Sequence, residues 1–93
     1  MRTTVGRCAA DTLQTGKDTT AGNGWRAYKV GENVKLYHYA TLMMEYGPDT
    51  LNLNLGHGSV SDQHGMNQTF RALGIPVRYD CDQRGGGPRY TFL

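Results

Sequence analysis

The chain has 93 residues, a hydrophobic fraction of 38% and 13 glycines, enough for one modest core and too little for two. Ten basic and eight acidic residues leave a formal charge of +2, which argues against a dedicated polyanion binder while leaving room for a local basic patch. No run of about 18 apolar residues occurs, so no helical membrane span is expected, and the opening MRTTVGRCAA lacks the apolar stretch of a signal peptide; the expected location is the cytoplasm.

Residues 1–24 are rich in Thr, Gly and Ala, and Val5 and Leu13 are their only large aliphatics. Such a stretch buries little and reads as a flexible or loosely docked arm. It ends at Gly22-Asn23-Gly24, a turn signal, after which residues 25–93 read as a single α+β domain. WRAYKV and the long run from Val34 to Tyr46 read as two strands joined by a short turn at Gly31-Glu32-Asn33. Gly47-Pro48-Asp49-Thr50 has Pro where a type I turn wants it. The alternation TLNLNL follows, with Leu51, Leu53 and Leu55 on one face. A four-residue turn then sets Tyr46 opposite Leu51, Met44 opposite Leu53 and Leu42 opposite Leu55, all on the core side, with Met43, Glu45, Asn52 and Asn54 on the other.

The segment Ser59–Pro76 carries the helix. Ser61 is the expected N-cap, and Met66, Phe70 and Leu73 form one apolar stripe. Gly74 suits a left-handed C-terminal position, Ile75 closes its apolar contact and Pro76 forbids continuation. The opposite face holds His64, Asn67, Gln68 and Arg71, side chains that folding does not obviously need. Beyond it, Val77, Tyr79 and Cys81 alternate with Arg78, Asp80 and Asp82. The run Arg84–Pro88 is a hairpin tip, and RYTFL returns as the last strand. The expected architecture is an antiparallel sheet of about five strands with one helix packed on one face, in the order β-β-β-α-β-β.

Chemistry is sparse in this pattern. His57, His64 and Cys81 match no zinc spacing, so no metal or cofactor is expected. Ser59, Ser61, Cys81 and His64, with Asp62, Asp80 or Asp82, make a triad only on paper, and no nucleophile-elbow motif is present; an enzyme is not expected. Cys8 and Cys81 read as reduced thiols. The Gly85–Gly87 run flanked by Arg84 and Arg89 lacks the lysine of a phosphate-binding loop. Binding classes remain. Trp25, Tyr28, Tyr37, Tyr39 and Met43 are left over from the expected core, and such residue types anchor protein interfaces; a homodimer seam along an edge strand would use them equally. The non-core side of the sheet, with Tyr37, Tyr39, Asn52, Asn54, Arg78 and Arg89, also offers stacking and hydrogen-bonding groups to nucleic acid.

The segment GHGSVSDQHGMNQTFRALG, through Ser59, Ser61, His64, Met66 and Asn67, resembles small uncharacterised bacteriophage-encoded proteins in which a hairpin leads through a Gly-rich bend into a short helix and a closing hairpin. The resemblance covers residues 36–93. It implies an accessory protein of a mobile element, and some such proteins are anti-CRISPR or other counter-defence inhibitors that occlude a surface of a host complex. The expectation is therefore a non-enzymatic phage protein in the bacterial host cytoplasm. It would bind and inhibit a host protein complex, one that itself holds nucleic acid or a CRISPR effector included. Its contact residues would be Tyr37, Tyr39, His64, Asn67, Arg71, Arg84 and Arg89. The alternative is a small nucleic-acid-binding domain using the same surface.

Overall fold

The computed structural model describes residues 1–81 and 86–93 and has an α+β fold. The alternating segment folds into an antiparallel meander of five strands, β1 (Thr19–Ala21), β2 (Trp25–Val30), β3 (Asn33–His38), β4 (Thr41–Gly47) and β5 (Thr50–Leu53), each paired with the next. One face of this sheet is apolar: Trp25 and Ala27 of β2, Val34 and Leu36 of β3, and Met44 of β4 are all buried. Helices α1 (Cys8–Thr15) and α2 (Val60–Leu73) lie on that side. Strands β6 (Val77–Asp80) and β7 (Arg89–Phe92) form a separate two-stranded sheet. Among the described residues the expected single sheet with one helix is thus corrected to two sheets and two α-helices.

The second helix is the larger surprise. Residues 1–24 are docked rather than an arm, with Cys8, Ala9 and Thr12 of α1 fully buried. Small residues let the helix approach β2 and β3 closely without large aliphatics. Its polar atoms are paired, since the Thr12 hydroxyl meets that of Thr19 at 2.7 Å and Thr19 donates to the Cys8 carbonyl at 2.7 Å. Cys8, in the stretch expected to bury little, is a core residue whose burial pushes its pKa up.

The pairs Tyr46–Leu51, Met44–Leu53 and Glu45–Asn52 form as the alternation predicts. The expected strand from 34 to 46 instead turns back at Tyr39-Ala40, where Tyr39 adopts a positive φ of 55°. That turn is held from outside, by Tyr39 N–H donating to the Gly24 carbonyl at 2.8 Å. A β-bulge follows: Leu36 pairs with Met44 and Tyr37 with Leu42, so Met43 is the extra residue. The bulge sends both Met43 and Met44 into the core, at 0% and 1% exposure, and rotates Leu42 to the other side. Leu55, expected opposite Leu42, lies past the end of β5 and is exposed.

At the start of α2 the N-cap is Ser59, not Ser61. Its hydroxyl accepts from Asp62 N–H at 3.0 Å while Asp62 Oδ2 accepts from Ser59 N–H at 3.3 Å, a reciprocal capping box. Met66 and Phe70 are fully buried and Leu73 packs beside them. Gly74 is left-handed, and Ile75 N–H closes onto the Phe70 carbonyl at 2.9 Å. Tyr79 of β6 and Tyr90 of β7 tie the small sheet to the segment after β5, donating to the Leu55 and Asn54 carbonyls, each at 2.6 Å.

Candidate functional site

Two regions stand out, one where α2 begins and one on the bare side of the meander. The first is built on His38. The run Val34, Leu36, His38 places a histidine on the apolar face of β3, at 7% exposure. Trp25 stacks flat on it, with ring centroids 4.2 Å apart and planes 7° from parallel. Capping of α2 brings Asp62 to one edge of that ring, where Oδ1 lies 2.6 Å from His38 Nδ1. Oδ2 accepts from the His57 and Ser59 amides at 3.1 and 3.3 Å. Burial raises the Asp62 carboxyl, but the bonds from His38 and Ser59 outweigh it and hold the group below its ordinary value. An ionised carboxylate only accepts, so Nδ1 carries the proton. In the neutral ring Nε2 is then an acceptor, and Ser61 Oγ sits 3.3 Å from it. Carboxylate, imidazole and hydroxyl therefore follow one another in the order that activates a serine. They open on a cleft of about 570 Å³ whose walls include Asn23, Tyr39, Ala40, Thr41 and His57.

The second region is the uncovered face of the sheet. Its residues are Arg26 and Tyr28 of β2, Lys35 and Tyr37 of β3, and Leu42 and Glu45 of β4, none of them buried. Arg26 pairs with Tyr37 across the strands and Tyr28 with Lys35, a checkerboard of aromatic and basic groups. Tyr28 and Tyr37 meet edge to face with centroids 5.8 Å apart, which fixes both rings. Among the described residues neither hydroxyl has a protein partner, and Lys35 has no ion pair. Glu45, the acid of this face, is occupied by Asn33 Nδ2 at 2.8 Å.

No protein-family model, curated protein or solved structure matches the chain.

The residues expected from the sequence to form one contact surface are scattered. Tyr37 lies on the uncovered sheet face. Tyr39 is 62% exposed at the rim of the cleft, its ring 4.8 Å from that of His38. His64 and Arg71 are exposed on α2, on the other side of the sheet from Tyr37. Asn67 belongs to the fold: its Nδ2 donates to the Tyr79 carbonyl at 2.9 Å and its Oδ1 accepts from Tyr79 N–H at 2.8 Å. Arg89 is exposed on β7 opposite Asp80, and Arg84 lies outside the described residues. Trp25 and Met43, expected to be left over from the core, are part of it. Among the described residues no three His, Cys, Asp or Glu side chains converge on a metal-sized site, and no helix is long and apolar enough to cross a membrane. Sequence reasoning missed His38, Arg26 and Lys35. The signal for His38 was there, as a polar residue closing an apolar alternation.

Proposed function

We propose that the protein is a small binding module that engages a protein complex through the uncovered face of its five-stranded sheet. The observation that carries this reading is the Tyr28–Tyr37 pair, two preordered aromatic rings with unpartnered hydroxyls, flanked by Arg26 and Lys35 on neighbouring positions. Tyr and Arg are the residue types that dominate binding energy at protein interfaces, and rings already held by each other lose little entropy on docking. With the resemblance to phage proteins, the partner is a complex of the bacterial host, a CRISPR effector among the candidates, and the protein inhibits it by covering a working surface. Exposed Tyr39 and Arg89 lie outside this face and are secondary contacts in this reading.

A second reading is favoured by the alternation of aromatic and basic side chains, which is also how single-stranded nucleic acid is stacked and its phosphates met. The two separate in one set of experiments. Immobilised protein is used to capture partners from a bacterial lysate, beside a Tyr28→Ala/Tyr37→Ala variant of equal stability. The protein-binding reading expects a stoichiometric partner whose affinity falls by at least about 30-fold in the variant. Capture that survives in the variant, or no partner at all, refutes it. A labelled oligonucleotide that binds with steep salt dependence, and is lost in the same variant, establishes the nucleic-acid reading instead.

A further inference from the structure

We propose that Ser61 is an activated nucleophile, with His38 as its base and Asp62 as the group that positions the base, and that the cleft above it takes small uncharged carboxylic esters. This rests on a different part of the molecule from the sheet face and stands or falls independently of it. Four observations converge. Ser61 Oγ and Asp62 Oδ1 lie at the two opposite nitrogens of one imidazole, 3.3 and 2.6 Å away. The ring cannot turn, because Trp25 covers its face at 4.2 Å and Asp62 is itself locked by two backbone amides. The capping box accounts for the Asp62 amide, and Gln63 N–H donates to the Ser59 carbonyl. Among the described residues the amides of Val60 and Ser61 have no acceptor, and they lie in the same helical turn as the nucleophile. Finally, the hydroxyl opens on a cleft rather than on bulk core.

The substrate class follows from the lining. No lysine or arginine lines the cleft, and both oxygens of its one carboxylate, Asp62, are engaged by His38 and by backbone amides, so the lining holds no dedicated ion-pairing group for a charged substrate. Tyr39 and Ala40 give it an apolar wall, and its volume of about 570 Å³ suits a small molecule. In the reaction, Ser61 Oγ attacks the ester carbonyl carbon and its proton passes to His38 Nε2. The carbon–alkoxy bond breaks and His38 returns the proton to the leaving group, which departs as the alcohol. Water then attacks the acyl-serine, giving its proton to His38. The carbon–Oγ bond breaks, and Ser61 is restored with release of the acid. Asp62 stays ionised and stabilises the imidazolium in both halves. The first-turn amides and the positive end of α2 supply donors for the developing oxyanion.

The test is covalent labelling of the intact chain with a fluorophosphonate probe, followed by intact mass and peptide mapping, alongside hydrolysis of p-nitrophenyl acetate. One adduct per chain is expected, on Ser61. Labelling should be absent in Ser61→Ala and at least about 100-fold slower in His38→Gln, the usual contribution of a general base. Ester hydrolysis should fall to the solution background in Ser61→Ala. If His38→Gln does not fold, as judged by the circular dichroism of Trp25, the pH dependence of wild-type labelling decides. A rate that rises through one ionisation and levels off supports a base beside Ser61. A flat rate, or one that climbs without limit with hydroxide, overturns the proposal. So do an adduct on another residue, no adduct at all, or hydrolysis unchanged in Ser61→Ala.

Discussion

Gly65→Ala separates what the sequence suggests from what the packing dictates. Helix propensity alone makes the substitution favourable, because Gly inside a helix costs about 1 kcal/mol relative to Ala. In the fold the opposite sign is expected. An added Cβ at Gly65 would lie 2.0 Å from Trp25 Cζ2, 2.5 Å from Cε2 and 2.6 Å from Cη2. The obstacle is a rigid indole, 1% exposed and stacked on His38, so it cannot swing aside as a flexible chain end would. Overpacking of this kind costs about 3 kcal/mol, and subtracting the propensity gain leaves a net loss of about 2 kcal/mol. For a domain of this size that corresponds to a melting temperature lower by about 8–16 °C. Urea and thermal unfolding followed by the fluorescence of Trp25, the sole tryptophan, measure it directly. In a Trp25→Phe background, whose narrower ring relieves the contact, the penalty should shrink or reverse, read by far-UV circular dichroism. A Gly65→Ala protein as stable as the parent refutes the claim that α2 is seated on Trp25 through a missing side chain.

Asn67→Ala removes both bonds to the Tyr79 backbone and strands a donor on a buried strand, so a loss of about 2–3 kcal/mol is expected. His64→Ala and Arg71→Ala, on the exposed part of the same helix, should stay within about 0.5 kcal/mol. Urea midpoints that rank the three alike would show Asn67 to be a surface residue after all. At alkaline pH, burial raises the Tyr79 hydroxyl from 10.0 to about 12. The unfolded chain ionises first, so the stability linked to this group is fully present below pH 10.0 and is lost as pH rises towards about 12. Tyr79→Phe should flatten that alkaline decline, measured as unfolding free energy against pH. Tyr90, which burial also shifts upward, retains part of it. An identical slope in the two proteins contradicts the assignment.

What was legible in the sequence is what depends on neighbours a few residues away. The stripe Met66, Phe70, Leu73, the stop at Gly74-Ile75-Pro76 and the Tyr46–Leu51 register are local patterns, and the fold keeps them. What was not legible depends on partners distant in the chain. The Tyr39-Ala40 turn contains no Gly, Asn or Pro, because the Gly24 carbonyl holds it in place. Helix α1 packs through Cys8, Ala9 and Thr12, whose weight is invisible when only large aliphatics are counted. The bulge at Met43 inverts one residue of an otherwise regular alternation, and with it the assignment of Leu42 and Met43 to faces.

The same division runs through the candidate site. Ser61 and Asp62 are adjacent in sequence; Ser61 reads as the cap, whereas in the fold Asp62 closes the capping box with Ser59. But a capping carboxylate has a second oxygen, and in this fold that oxygen meets His38 across a separation of 24 residues. His64, nearer in sequence and the natural choice of partner for Ser61 on paper, sits on the exposed side of α2 instead. On paper the serine takes the histidine nearest in sequence, whereas the sheet register brings His38 to it. Once β3 is paired so that Val34 and Leu36 face inward, His38 must face inward too. A buried imidazole needs partners for both nitrogens, and the first turn of α2 supplies them. The cap that starts the helix thereby orients the base, so changes at Asp62 should alter folding and Ser61 reactivity together, while Ser61→Ala should separate them.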